Sequence, residues 1–433
     1  RVEIHAPVNG SEGMPRPPRC DPTLISKNPC TTNAKPATNG IPDENFSLMI
    51  YKSDTMGNPM NASVFFDIGY EPVVTKWTFD YFEDYFARDA GNKTVVNVAS
   101  KIYRHVALRT PGDYKAVVSY NNHTTLAFAN WHVRPEVSNK KAKNVILFIG
   151  DGMTTNMITA ARLLGHKAIN GRYQTKMALD NFTTIGHQMT HSLDSFITDS
   201  ANSASALYTG KKTSVNAMGV YPSSHPENDQ NDARIETLAE ILSRIWAGAA
   251  IGIVTTAGLD DATPAAIFGH NRNRTEHAYL IDQMLHGSNK PGLPWTNHSL
   301  PDVIFGGGAQ WFVNTHLNGH HDYIGELRGK DYSFATDRGT MLKMPNHQKA
   351  LGLFSKGSLP VWLDRNILIE NLDRKTNHPT ESGRGVTNPP GLKDMTLKAI
   401  DILQQRGGER GFFLMAEAAS IDKQMHKLDY DRA

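Results

Sequence analysis

"NVILFIGDGMTTNMITAARLLG", residues 144–165, carries the reading of the fold. Its opening NVILFIG is a continuous apolar run, the texture of a strand covered on both faces of a parallel sheet. MTTNMITAARLLG then reads as a helix ended by glycine, and Asp151-Gly152 marks the junction. The same alternation recurs downstream. ARIETLAEILSRIW (233–246) puts Ile235, Leu238, Ile241, Leu242 and Ile245 on one helical face. AIGIVTTAG (250–258), DVIFGGG (302–308) and GFFLMAEAA (411–419) are further apolar strands, and LKDMTLKAIDILQQR (392–406) is another amphipathic helix. Strands alternating with helices predict an α/β fold with a mostly parallel central sheet flanked by helices, here over 144–433.

Upstream the texture differs. Residues 1–42 are rich in Pro, Asn and Thr and read as an extended arm. Cys20 and Cys30, the only cysteines, lie there and are expected to form one local disulfide. Over 43–135 short runs such as FSLMIY, TVVNVAS, YRHVALR, YKAVVSY and TTLAFANWHV are separated by turn residues, the pattern of a β-sandwich. Asp113-Tyr114 resembles the tyrosine corner of an immunoglobulin-like domain. TKWTFDYFEDYFARDAG (75–91) reads as more helical than its surroundings, and 136–143 as a polar, basic linker.

At 433 residues the chain is long for one core, so two domains are expected. Lys plus Arg number 45 against 43 Asp plus Glu. That balance argues against a nucleic-acid partner. The apolar stretch 245–259 is broken by glycines and shorter than the ~20 residues of a transmembrane span. Arg1 in place of methionine reads as processing after a signal peptide. Asn-x-Ser/Thr sequons stand at Asn9, Asn45, Asn61, Asn92, Asn122, Asn181, Asn273 and Asn297. A secreted, glycosylated protein is the expectation, with Asn273 unmodified because a glycan there would crowd Arg274.

In open parallel sheets ligands bind beyond the carboxyl ends of the strands. The polar residues that follow the apolar runs are therefore the candidates: Asp151, the Asp199-Ser200 pair, Asp261 and Thr263, and Glu417 with Asp422 and His426. Each has an ordinary alternative, as a turn, a helix cap or a solvated i, i+4 pair. Gathered at one edge, carboxylates and imidazole suit zinc, and carboxylates with a hydroxyl suit magnesium. A serine among them is placed to act as a nucleophile. Arg274 offers a planar fork for phosphate oxygens.

NVILFIGDGM, FITDSANSASALYTGKKTSVNAMGV, DDATPAAIFGHNRNR, VIFGGG and FFLMAEAASIDKQMH closely resemble the alkaline phosphatase family, in order and spacing, from about 143 to 428. The resemblance implies hydrolysis of small phosphomonoesters through a phosphoserine intermediate at a site of two Zn2+ and one Mg2+. By position it makes Ser200 the nucleophile and Arg274 the phosphate-binding arginine, with Asp199 orienting it. Asp151, Thr263, Glu417, Asp422 and His426 become metal ligands, and Asp261 and Lys423 supporting residues. It also implies a homodimer. The family's remaining zinc ligands lie beyond "KLDYDRA" (427–433), so a longer native chain or a complementary C-terminal polypeptide is expected to complete the site. The alternatives are an inactive secreted glycoprotein on the same scaffold and a metal-dependent phosphodiesterase. The Arg274 match favours a phosphate monoester, with its free dianion, over a diester.

Overall fold

The computed structural model describes residues 2–7, 42–52, 58–81, 94–120, 125–133, 142–166, 168–169, 172–173, 175–182, 184–222, 232–246, 248–288, 292–313, 321–372 and 388–433. Two compact units divide the chain, one of residues 1–139 with 223–227, the other of residues 140–222 and 228–433. Cys20, Cys30 and most of the predicted linker lie outside the described residues.

In the first unit Val2–Pro7, Thr94–Tyr103 and Thr75–Tyr81 form one antiparallel sheet. Met60–Asn61, Ser47–Lys52, Gly112–Tyr120 and Thr125–Val133 form a second. Alternation decides what each strand buries: Leu48 and Ile50 point inward while Ser47 and Met49 do not. Ile4 and Tyr103 from one sheet join Leu48, Ile50, Tyr114 and Ala116 from the other in a single core. The Tyr114 hydroxyl donates to the Thr110 carbonyl at 2.8 Å, a polar tip tied back to the chain just upstream. The helical reading of 75–91 is overturned for Thr75–Tyr81, which is a strand paired with Thr94–Tyr103. Its alternating Thr75, Trp77, Phe79 and Tyr81 are β-formers at period two, and that pattern outweighed the helix formers that follow. Residues 82–93 lie outside the described set.

Among its described residues the second unit is built on a central sheet of six strands, all parallel. Their order is Tyr332–Ala335, Lys349–Leu353, Val303–Gly307, Ala250–Gly258, Phe412–Ala418 and Val145–Gly150. The central Ala250–Gly258 strand sends Ile251 and Ile253 into one apolar layer and Ala250 and Val254 into the other. On the first side lie Ala201 and Ala204 of the helix Ser200–Thr209, with Leu280, Ile281 and Met284 of the helix His277–His286. On the second lie Met395, Ala399, Ile402 and Leu403 of the helix Leu392–Gly407. Each fully buried Leu, Ile or Met contributes about 1.5–3 kcal/mol to this three-layer stack.

Two expectations are corrected here. Among the described residues the run 144–150 is an edge strand rather than one covered on both faces, with Phe148 59% and Val145 41% exposed. Continuous apolarity reports covered strands in general, but it does not say which strand stands at the edge. The helix expected over 233–246 spans only Leu238–Ile245, because Thr237 and Glu240 form a capping box that starts it there. Ala233–Arg234 pair instead with Val220–Tyr221, and Ile245 is half exposed.

Candidate active site

Parallel pairing puts the carboxyl ends of all six strands on one edge. Gly150 stands opposite Ala418, and Thr255 opposite Glu417, so Asp151 and Glu417 arrive at that edge from neighbouring strands. The central strand ends at Gly258 and turns through Asp260 and Asp261. Asp261 caps the short helix Ala262–Ala265, accepting from the Ala262 N–H at 2.8 Å. The last strand runs on into the helix Ser420–Met425, which carries Asp422 and Lys423.

Ser200 opens the helix Ser200–Thr209. Asp199 is its N-cap: Oδ1 accepts from the Asn202 N–H at 3.2 Å and from Asn202 Nδ2 at 2.6 Å. The Ser200 hydroxyl is therefore not needed to satisfy the first turn. The small residues behind it have a packing cause, since Ala201, Ala204 and Ser205 are fully buried. The Tyr208 hydroxyl reaches across to the Thr263 carbonyl at 2.9 Å and ties this helix to the segment after Asp261.

The remaining Asp199 oxygen, Oδ2, lies 3.1 Å from Arg274 Nη1, and Asp261 Oδ1 lies 2.9 Å from Arg274 Nη2. The guanidinium is thus held between two carboxylates. Asp261 Oδ2 takes the Lys423 ammonium at 2.5 Å. Burial works against the Asp261 charge, but Lys423 and then Arg274 outweigh it and hold its pKa below the ordinary value. Lys423 is correspondingly held above its own ordinary range, desolvation being overcome by Asp261.

Deeper in, the balance reverses. Glu417 is 1% exposed, and burial, reinforced by the charges of Asp151 and Asp261, pushes its carboxyl up to about 7. Hydrogen bonds from the hydroxyls of Thr255, at 2.5 Å, and Thr263 pull the other way without compensating. Burial, with the charges of Asp422 and Asp261, pushes Asp151 up to about 6. Asp151, Asp261, Glu417 and Asp422 therefore crowd one another, while Lys423 and Arg274 are the cations that offset them. Gly152 sits at φ 62°, and a Cβ there would meet Asp422 Oδ1 at 2.6 Å, so the turn and Asp422 are in direct contact.

This excess of buried negative charge on hard oxygen donors fits a divalent cation held by Asp151, Glu417 and the Thr263 hydroxyl. Asp422 and His426 offer a second pair, with Oδ2 and Nε2 3.3 Å apart and His426 largely exposed. Every catalytic and metal-binding candidate named from the sequence lies within the described residues, and all are linked by these bonds and charges or, for Ser200, by its place beside Asp199, with His426 reached through Asp422 alone. Thr255 and Asn202 were not foreseen. A threonine inside the apolar run AIGIVTTAG was the available signal, since a buried hydroxyl requires a partner.

Of the sequons, Asn45, Asn181 and Asn297 are exposed, whereas Asn61 is half buried and accepts from the Ser63 N–H. Asn273 Oδ1 is engaged by Thr275, at both the backbone N–H and the hydroxyl. Asn9, Asn92 and Asn122 lie outside the described residues.

The family model for "Alkaline phosphatase" matches residues 142–433, and that for "PhoA-like N-terminal domain" matches residues 25–134. The alkaline phosphatase of Escherichia coli K12 is 34% identical over 319 residues, covering 68% of this chain and 64% of that one. Alkaline phosphatase 4 of Bacillus subtilis is 34% identical, covering 66% and 53%. The streptomycin-6-phosphate phosphatase of Streptomyces griseus is 32% identical, covering 66% and 65%. The crystal structure of Thermus thermophilus alkaline phosphatase superposes with a TM-score of 0.51 at 24% identity, over 66% of this chain and 52% of that one, a likeness of fold. The chain spans less than two thirds of the length of these relatives.

Proposed function

Since the chain belongs to the alkaline phosphatase family, we propose that it serves in the hydrolysis of phosphate monoesters, with Ser200 as the nucleophile. One observation supports this reading above the others. A single carboxylate, Asp199, caps the helix that presents Ser200 and holds the Arg274 guanidinium beside it. A phosphoryl group in contact with Ser200 would meet the free N–H groups of a helix start and the Arg274 fork together. Asp199 and Asp261 keep that fork oriented before substrate arrives, so its orientation is not bought from binding energy. Lys423, anchored on Asp261, adds a second positive charge where phosphate charge accumulates.

Asp151, Thr263 and Glu417 would hold magnesium. Asp422 and His426 would hold one zinc, and Asp151 with Ser200 would face the other. Bound cations of this kind lower the pKa of coordinated hydroxyl groups and neutralise charge on the transferring phosphoryl group. We read the chain as secreted, on its sequons and cysteine pair, and its N-terminal unit as immunoglobulin-like, on the Tyr114–Thr110 contact.

The test is hydrolysis of an aryl phosphomonoester by the purified native protein at mildly alkaline pH. It is run before chelation, after chelation, and after zinc and magnesium are restored. Activity that disappears and returns supports the reading. Absence of activity under every metal condition overturns it in favour of a scaffold without catalysis, and activity confined to a diester analogue overturns it in favour of a phosphodiesterase.

A further inference from the structure

Away from the strand edge, the described residues contain one group of three metal-ligating side chains whose donor atoms all lie within 4.8 Å of one another: His286, His321 and Glu326. We propose that these residues form a zinc site distinct from the catalytic edge, one that clips the helix His277–His286 to the helix Tyr323–Gly329. His286 Nε2 lies 2.8 Å from Glu326 Oε1, and His321 Nε2 lies 2.6 Å from Glu326 Oε2. Two imidazoles and one carboxylate are a zinc donor set, and the exposed side of His321 leaves the fourth position to water. The surroundings favour this use. His286 Nδ1 lies 2.7 Å from Asp282 Oδ1, and the same oxygen accepts from the buried Tyr323 hydroxyl at 2.9 Å. A carboxylate fixed in this way holds the Nδ1 proton of a histidine and turns the Nε2 lone pair toward a metal. Lys330 Nζ, 2.6 Å from Glu326 Oε1, is the competing cation. It is half exposed on a flexible stem and can leave for solvent when a divalent ion arrives.

The site is remote from the proposed chemistry. His286 ends the helix that His277 begins, and His277 is the residue 2.9 Å from Asp260 at the strand edge. Nine helical steps separate the two by about 14 Å.

The experiment uses untagged protein stripped with chelator, dialysed, and titrated with Co2+ and then Zn2+. Visible cobalt absorption reports tetrahedral sites, and elemental analysis reports stoichiometry. Wild type is expected to bind one equivalent more than His321→Ala, which removes an exposed side chain and leaves phosphomonoesterase activity in place. Asp282→Asn should keep that equivalent with an affinity about 10–100-fold weaker. The same additional equivalent is expected in an Asp422→Asn background, so failure of the phosphatase reading does not remove it. Equal stoichiometry in wild type and His321→Ala overturns the proposal and leaves the cluster a solvated ion-pair group.

Discussion

Glu417→Gln should stabilise the metal-free protein at alkaline pH while abolishing its response to magnesium. The folded-state pKa of Glu417 is about 7 against an ordinary 4.5, because the carboxyl is buried and faces Asp151. The folded chain therefore binds more protons than the unfolded chain between pH 4.5 and 7, and stability falls as pH rises through that window. At about 1.4 kcal/mol per unit, the cost reaches about 3 kcal/mol once the carboxylate is ionised. Glutamine has nearly the same shape, keeps an acceptor for the Thr255 hydroxyl and never ionises. Urea denaturation of chelator-treated protein at pH 5 and pH 8 measures the effect. The loss between the two should be smaller in the variant by about 2–3 kcal/mol, since at pH 5 the unfolded carboxyl is already largely ionised. Added Mg2+ should raise the wild-type midpoint at pH 8 and leave the variant unmoved. Equal pH slopes in the two proteins would refute the reasoning, since Glu417 would then carry no buried charge worth neutralising.

Three further outcomes are expected. Ser200→Ala should keep the wild-type melting temperature, within the ~0.5 kcal/mol of an uninvolved position, because Asp199 supplies the cap; it should lose all incorporation of phosphate from a labelled monoester. Asp199→Asn separates capping from arginine orientation: asparagine caps as well as aspartate, so thermal stability should hold, whereas inhibition by inorganic phosphate should weaken as Arg274 loses a carboxylate partner. Gly152→Ala should cost about 1–2 kcal/mol for the left-handed backbone alone and displace Asp422, read as a lowered melting temperature together with weaker zinc binding.

How legible this was depended on range. Period and punctuation are local, so the α/β alternation and the residues following each strand could be read directly from runs such as AIGIVTTAG and GFFLMAEAA. Once the strands are parallel, the convergence of Asp151, Asp261 and Glu417 on one edge follows. Strand order is not local. Nothing in NVILFIG announces an edge position, and the exposure of Phe148 follows from which neighbours the other strands take. The same limit applies to Thr255. Its partner Glu417 is 162 residues away and becomes a neighbour only through the register of two strands.

The charged groups around Glu326 and around Glu417 show why proximity alone does not define function. Around Glu326 the carboxylate is met by His286, His321 and Lys330, and the partners together bring its pKa down to about 2 against the cost of burial. That cluster is balanced as it stands, so a metal there must displace protons and Lys330, and it is expected to act as a clip. Around Glu417 and Asp151 the carboxylates outnumber Lys423 and Arg274, and both pKa values are raised. There the fold itself is under electrostatic load, which a bound cation would relieve. A site that costs stability when empty exchanges that cost for affinity when loaded. The strain therefore sits beside the helix start that carries Ser200, where a transferring phosphoryl group would bring more negative charge.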